Sequence, residues 1–188
     1  GDCMLHALLS LICDAYIKFM EKIKTVIDDE TEGFNYHWRG LCPGRITLRD
    51  DSAVNLSPEA YREFVQPYNR KIYRHFQSVS MHFCGRADQW MDDLTEEDAV
   101  CGLNFGYMDK VQFGQPFLEE IYPRFRVRGV GICGYTLTRE DAERFDFHRF
   151  GTGVSYVVRA GNRREGVEIL KRIEERRSEG SYVFDNHC

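Results

Sequence analysis

Apolar positions recur with two different spacings along the chain. From Leu5 to Val26 they return every three or four residues, which is the spacing of an amphipathic helix. Farther along, short apolar runs alternate with amphipathic stretches, and this alternation predicts strands separated by helices. The predicted strands cover residues 45–50, 79–83, 100–105, 127–133, 154–158 and 182–184.

The predicted helices begin at residues whose side chains cap free backbone N–H groups. Ser57 precedes a proline and a glutamate, Thr138 stands three residues before Asp141, and Asn162 precedes the last helix. Pro67 interrupts the helix that follows Ser57 and is expected to kink it. Two further helices are expected over residues 88–94 and 116–121.

Short strands that alternate with helices are typical of βαβ units and a parallel sheet. With about six predicted strands and no low-complexity linker, the chain is expected to form one continuous α/β domain over residues 1–188. No G-x-G-x-x-G turn joins a predicted strand to a following helix, and no phosphate-binding G-x-x-x-x-G-K-[ST] loop occurs, which disfavours nucleotide binding. A G-x-S-x-G elbow is also missing, which disfavours acyl transfer.

The composition narrows the possible environments and partners. With 25 Lys and Arg against 30 Asp and Glu, the net charge of −5 argues against a nucleic-acid-binding protein. No membrane span is expected, because Asp14, Lys18 and Glu21 interrupt the apolar opening segment. Seven cysteines, an odd number in a chain too large to need disulfide bonds, indicate a reducing, cytoplasmic location.

The clearest candidate for chemistry is His82-Phe83-Cys84-Gly85, at the end of a predicted strand. Alternation along a strand places His82 and Cys84 on one face, where both can reach one metal ion, and nitrogen with sulfur suits Zn²⁺. Possible third ligands are Cys133, His187 and Cys188. The alternative is structural: a packed cysteine beside a hydrogen-bonded histidine.

Asp50 and Asp51 also stand at a strand end and are candidate catalytic residues. Because neighbouring residues on a strand point to opposite faces, only one of the two can face a central cavity. That carboxylate can bind a substrate cation, orient a ligand histidine or act as an acid or base. The competing interpretation is a solvated turn. Other residues that can line the same rim, or serve only as structural residues, are His37, Trp38, Asn104, Tyr107 and Asp109.

The segment from Leu56 to Gly85 resembles the second half of the uroporphyrinogen decarboxylase superfamily. The residues that carry the resemblance are Leu56-Ser57-Pro58-Glu59, Tyr61, Glu63-Phe64-Val65, Pro67-Tyr68 and His82-Phe83-Cys84-Gly85. The resemblance implies a (β/α)₈ TIM barrel, which typically needs about 250 residues. The chain is therefore expected to be a partial (β/α)₈ barrel, its C-terminal portion, incomplete at the N-terminus.

Within that superfamily the resemblance is nearer to the zinc-dependent methylcobamide:coenzyme M methyltransferase branch. It implies that His82, Cys84 and a cysteine after the last strand, here Cys188, bind Zn²⁺. It further implies that a thiol bound there attacks a methyl group carried by a corrinoid cofactor on a partner protein. Metal-free decarboxylases of the superfamily do not use the His-x-Cys pair.

Three hypotheses follow from the sequence and the resemblance. The first is zinc-dependent methyl transfer to a small thiol. The second is metal-free decarboxylation of a porphyrinogen, a tetrapyrrole, and the third is a non-catalytic fragment or subunit. An incomplete barrel has open sheet edges, so we expect a homodimer or pairing with an N-terminal half-barrel.

Overall fold

The structure, a computed structural model, describes residues 2–27, 33–37, 40–106, 114–150 and 152–179. Its centre is a five-stranded parallel sheet in which the strands follow one another in chain order, β3-β4-β5-β6-β7. The strands are β3 Ile46–Arg49, β4 Val79–Cys84, β5 Val100–Gly106, β6 Gly131–Leu137 and β7 Val154–Val158.

Helices separate the strands, as the alternating pattern predicts. The helices are α1 Asp2–Ile27, α2 Pro58–Phe64, α3 Gln66–Phe76, α4 Met91–Thr95, α5 Gly114–Arg126, α6 Arg139–Arg144 and α7 Arg163–Glu179. A parallel sheet alternating with helices confirms the predicted α/β class and is consistent with part of a (β/α)₈ barrel. The predicted strand 182–184 lies outside the described residues.

The local signals for helix boundaries are confirmed. The side chains of Ser57, Thr138 and Asn162 each accept a hydrogen bond from the backbone N–H three residues later. The helix that begins after Ser57 is divided at Val65, just before Pro67, into α2 and α3. The proline therefore breaks the helix near the expected position, since its ring and missing N–H disrupt the preceding turn.

The strand predicted over 127–133 is shifted in the structure. Helix α5 continues to Arg126, and Val127 lies in the turn that follows, with 85% of its surface exposed. The strand begins only at Gly131, after Gly129 has adopted a positive φ of 71°. The prediction included Val127 in the strand because the residue is apolar. In the structure the turn at Gly129 comes first, so the strand begins after it.

A β-hairpin precedes the sheet in the structure, and the sequence pattern did not predict it. Strands β1, Phe34–His37, and β2, Gly40–Pro43, pair antiparallel and lie across one face of the sheet, over β3 to β6. Gly102 on β5 permits this close approach, because a Cβ there would lie 2.8 Å from the Pro43 ring. The hairpin therefore covers part of the face that points to the interior of a barrel.

The helices cover the opposite face of the sheet. Along β4, Met81 and Phe83 point into an aromatic and aliphatic core, while Ser80 and His82 point toward the hairpin side. The indole of Trp90 stacks on Tyr61 with ring centroids 4.3 Å apart and packs edge-on against Phe83. This core supports the carboxyl end of β4, where the candidate site lies.

Helix α1 packs one side against α3, through Cys13 and Ile17, and exposes many apolar residues on the other. Over Cys3–Ile27 it is long and apolar enough to cross a membrane by length and composition alone. Asp14, Lys18 and Glu21 therefore do not exclude the segment by this criterion, and the expectation that it does not span a membrane stays a prediction. The same length and composition occur in core helices of soluble proteins and in signal sequences, so the helix is weak evidence of a membrane location.

Candidate functional site

Three potential metal ligands meet at the carboxyl ends of β3 and β4. One ligand atom each from Asp51, His82 and Cys84 lies within 4.8 Å of the other two. His82 and Cys84 are two residues apart on β4, and strand alternation places both on one face, as predicted; in the structure this is the face that the hairpin covers. Asp51 follows β3, whose end is fixed by a 2.8 Å hydrogen bond from the Asp50 N–H to the His82 carbonyl.

Asn104 on β5 orients the His82 imidazole. Its Nδ2 donates to the Cys133 carbonyl at 2.6 Å, which turns its Oδ1 toward His82 Nδ1 at 2.5 Å. An amide oxygen only accepts, so the proton of the neutral ring resides on Nδ1. His82 is 3% exposed, and its Nε2 lone pair points toward Asp51 and Cys84.

The Asp51 carboxylate is held ionised beside this nitrogen. Burial raises its pKa, but the Cys84 thiol, His82 and Arg49 together outweigh burial and hold the pKa below its usual value. Its Oδ2 accepts a 3.0 Å hydrogen bond from Arg49. Its buried Oδ1 lies 2.9 Å from His82 Nε2, the distance of an ion pair, yet the described residues offer it no hydrogen bond of acceptable direction. At this distance a cation lies between the two atoms, either a proton on His82 Nε2 or a metal ion in its place.

Cys84 completes the group with a protonated sulfur. Its Sγ lies 3.7 Å from His82 Nε2, and burial, followed by the neighbouring Asp51 carboxylate, raises the pKa of the thiol to about 11. Gly106 stands opposite Cys84 in the sheet, and a Cβ there would lie 2.5 Å from the sulfur. The glycine thus leaves space directly above the thiol.

This donor set fits Zn²⁺. Carboxylate oxygen, imidazole nitrogen and thiolate sulfur are its usual protein ligands, and three of them leave a fourth position for substrate. Asn104 and Arg49 supply the supporting hydrogen bonds that orient a ligand histidine and a ligand carboxylate. Among the described residues the buried Asp51 Oδ1 has no hydrogen bond, and its neighbour at 2.9 Å is the His82 nitrogen, so these two atoms offer two ligands to a bound cation.

The group opens into a cavity of about 590 Å³ between the hairpin and β4 to β7. His37 on β1 lines it, with its ring centroid 4.8 Å from that of His82. Burial, followed by His82 and Arg49, lowers the pKa of His37 to about 4, so its ring is neutral at physiological pH. The buried Nε2 of His37 has no hydrogen-bond partner in the described part of the chain and faces a space that a ligand can occupy.

Asp50 points away from this group. Its carboxylate accepts a hydrogen bond of 2.5 Å from Asn69 on α3 and lies beside Tyr61 and Tyr16. The two carboxylates point to different sides: Asp51 lies beside His82 and Cys84, although neither carboxylate is among the residues that line the cavity. Burial raises the pKa of Asp50 to about 6, while the hydrogen bond from Asn69 lowers it and the nearby Asp51 charge raises it.

We expect Asp50→Asn to stabilise the protein near pH 8. A folded-state pKa of about 6, above the unfolded value of 3.8, means that folding favours the protonated acid. The protonated Asp50 side chain therefore adds to the stability of the folded protein below pH 4, and this contribution is lost as the pH rises through 6. The amide still accepts from Asn69 without carrying a charge, so the free energy of unfolding at pH 8 should increase by roughly 1–3 kcal/mol.

Urea unfolding of wild type and variant between pH 4 and pH 8 measures this difference. The exposed Asp98→Asn is the matched control and should leave the slope of stability against pH unchanged. An Asp50→Asn protein that is no more stable than wild type at pH 8 would contradict a buried Asp50 carboxylate with a raised pKa.

The other predicted site residues either do not belong to this group or lie outside the described residues. Cys133 lines the same cavity, together with Cys42, but it does not belong to the Asp51, His82 and Cys84 group. Trp38, Tyr107, Asp109, His187 and Cys188 lie outside the described residues, so Cys188 stays a predicted ligand. The orienting roles of Asn104 and Arg49 were not predicted. The signal available for Asn104 was its position two residues before the end of a strand adjacent to β4.

The five-stranded parallel sheet is consistent with part of a (β/α)₈ barrel, and its candidate metal ligands lie at the carboxyl ends of the strands, where functional residues gather in such barrels. Residues 44–116 match the family model described as uroporphyrinogen decarboxylase (URO-D). The matched region runs from just before β3 into α5 and contains Asp51, His82, Cys84 and Asn104. The match supports a relationship to the uroporphyrinogen decarboxylase superfamily. No curated protein and no solved structure matches the chain.

Proposed function

We propose that Asp51, His82 and Cys84 bind Zn²⁺ and that the site serves methyl transfer to a small thiol. The observation that carries the proposal is the orientation of three unlike donor atoms around one point, with His82 Nε2 directed there by Asn104. The match of residues 44–116 supports the superfamily alone, and methyl transfer is proposed from the resemblance of His82-Phe83-Cys84-Gly85 to its zinc-dependent branch.

The surrounding residues hold the donors in place. Asn104 keeps the His82 proton on Nδ1, and Arg49 neutralises part of the Asp51 charge while leaving Oδ1 free of its hydrogen bond. Cys84 must lose its proton to become a ligand, because only the thiolate binds metal. Asp51 is a poor acceptor for that proton since its pKa is low, so the proton leaves through the cavity to solvent.

Zn²⁺ bound by these residues would lower the pKa of a substrate thiol and keep it as a thiolate, the nucleophile for methyl transfer. The space above Cys84, maintained by Gly106, is where such a thiol can approach. The cavity between the hairpin and the sheet is large enough for a small organic thiol.

The remaining parts of the proposal come from the resemblance. The methyl donor is a corrinoid on a partner protein, and the chain works in the cytoplasm. Within the described sheet, β3 and β7 each have one strand neighbour, so their free edges suit pairing with a second copy or with an N-terminal half-barrel.

Methylcobalamin with 2-mercaptoethanesulfonate tests the reaction. In the expected reaction the cobalt–carbon bond breaks with its electron pair left on cobalt, and the methyl group forms a bond to the thiolate sulfur. We expect zinc-loaded protein to convert the methylcobalamin spectrum, and His82→Ala to abolish the change. We also expect the zinc form to bind the thiol with release of about one proton at pH 7, because the bound thiol is held as a thiolate.

The matched control is His75→Ala, which removes an exposed histidine on α3 and should change neither measurement. Thiol binding of equal strength in zinc-loaded and zinc-free protein would contradict the proposal, whether or not a partner is needed for turnover. Metal-independent release of CO₂ from a porphyrinogen would favour the decarboxylase alternative.

A further inference from the structure

Two buried cysteines meet where the hairpin contacts the sheet. Cys42 on β2 is 3% exposed and Cys133 on β6 is 6% exposed. Both residues line the same cavity, where β2 lies against β6, although 90 residues separate them along the chain. Both are free thiols.

Packing around the pair holds the two strands in a fixed relation. Pro43, next to Cys42, lies over β6, since a Cβ on Gly131 would be 3.7 Å from the Pro43 ring. Ser80 Oγ donates to the Pro43 carbonyl at 2.6 Å, and Asn35 accepts from Thr47 at 2.6 Å. The hairpin is therefore tied to β3 and β4 as well, and the fold keeps β2, which carries Cys42, beside β6, which carries Cys133.

The pair is also reachable by a small reagent. Cys42 and Cys133 line the 590 Å³ cavity that contains His82 and Cys84. The hydrogen bond from Cys133, against the effect of burial and with help from Thr47, lowers the pKa of Cys42, so Cys42 is the more nucleophilic partner. Cys84 in the same cavity has its pKa raised to about 11 and stays protonated.

We propose that Cys42 and Cys133 are a dithiol that hydrogen peroxide converts into a disulfide joining the hairpin to β6. The Cys42 thiolate attacks one peroxide oxygen, the O–O bond breaks, and a sulfenic acid and hydroxide form. The Cys133 sulfur then attacks the Cys42 sulfur and expels the oxygen, which leaves as water. Overall, two thiols and one peroxide give one disulfide and two waters, with sulfur oxidised and oxygen reduced.

The disulfide would fix the cover of the cavity. The hairpin carries His37, whose ring lies against His82, so the same strands that bear the dithiol also form the wall of the candidate site. This inference does not depend on zinc or methyl transfer, because neither Cys42 nor Cys133 belongs to the proposed ligand group.

Peptide mapping of peroxide-treated protein tests the proposal. Full-length chain in the presence of a chelator is treated with hydrogen peroxide, alkylated, and digested with trypsin without reduction. Cleavage after arginine releases Cys42 within residues 40–45 and Cys133 within residues 129–139. We expect these two peptides to appear as one cross-linked species that dithiothreitol separates, with an intact-mass loss of two hydrogens and a higher, reversible melting temperature.

Cys42→Ser should abolish the cross-link, whereas Cys101→Ser, which replaces the neighbouring thiol at the start of β5, should retain it. The wild-type map is decisive even if a variant folds poorly. Absence of the 40–45 to 129–139 cross-link, or a cross-link that instead contains Cys84 or Cys101, would overturn the proposal.

Discussion

Replacing Cys84 with serine is expected to lower zinc affinity by roughly a hundredfold. Zinc sites built from about four protein ligands bind with apparent free energies of about 10–16 kcal/mol, so each ligand supplies on average about 3 kcal/mol. Serine keeps the size of the side chain but offers a hydroxyl that stays protonated, so the fold is preserved while the sulfur ligand is lost. Competition with a chromophoric chelator measures the affinity directly.

The control for this experiment is Cys3→Ser, which removes an exposed thiol on α1 far from the site. Its zinc affinity should equal that of wild type. Cys188→Ser examines the further ligand predicted from the sequence, and a loss as large as that of Cys84→Ser would assign the third ligand position to Cys188 in place of Asp51. Equal affinities for wild type and Cys84→Ser would exclude the proposed site.

Trp90→Ala is expected to destabilise the protein by about 3–5 kcal/mol, the usual range for deleting a large buried aromatic side chain. Trp90 is 1% exposed, and its indole N–H donates to the Ala53 carbonyl at 3.0 Å. It also stacks on Tyr61 and packs edge-on against Phe83. Ala53 follows Asp51, and Phe83 separates His82 from Cys84, so the same indole supports both parts of the site.

Chemical unfolding of wild type, Trp90→Ala and Trp90→Phe measures this contribution. Phenylalanine restores most of the buried area but not the hydrogen bond to Ala53, so its loss should be clearly smaller than that of alanine. A Trp90→Ala protein within 1 kcal/mol of wild type would mean that the core beneath β4 is not packed as described.

The fold was largely predictable because its signals are local. Caps at Ser57, Thr138 and Asn162 mark helix starts, and continuous apolar runs mark strands buried on both faces of a parallel sheet. The hairpin was not predictable in the same way. Its strands have only four residues each, and their burial comes from contact with the distant strands β3 to β6 and not from any pattern of their own.

The site was predictable in part for the same reason. Strand alternation alone places His82 and Cys84 together, since both lie on β4. The choice of Asp51 over Asp50 depends on how the chain turns after β3, and the role of Asn104 depends on the register between β4 and β5, which pairs His82 with Asn104. Neither is encoded within a short segment, so both required the three-dimensional arrangement.

The zinc X-ray absorption spectrum of the zinc-loaded protein tests the central claim most directly. Zinc bound by Asp51, His82 and Cys84 should show sulfur at about 2.3 Å together with nitrogen or oxygen at about 2.0–2.1 Å, including the multiple-scattering signature of an imidazole. Cys84→Ser should remove one sulfur from that shell, and His82→Ala should remove the imidazole signature. A wild-type shell without imidazole, or one that Cys84→Ser leaves unchanged, would contradict zinc binding by Asp51, His82 and Cys84.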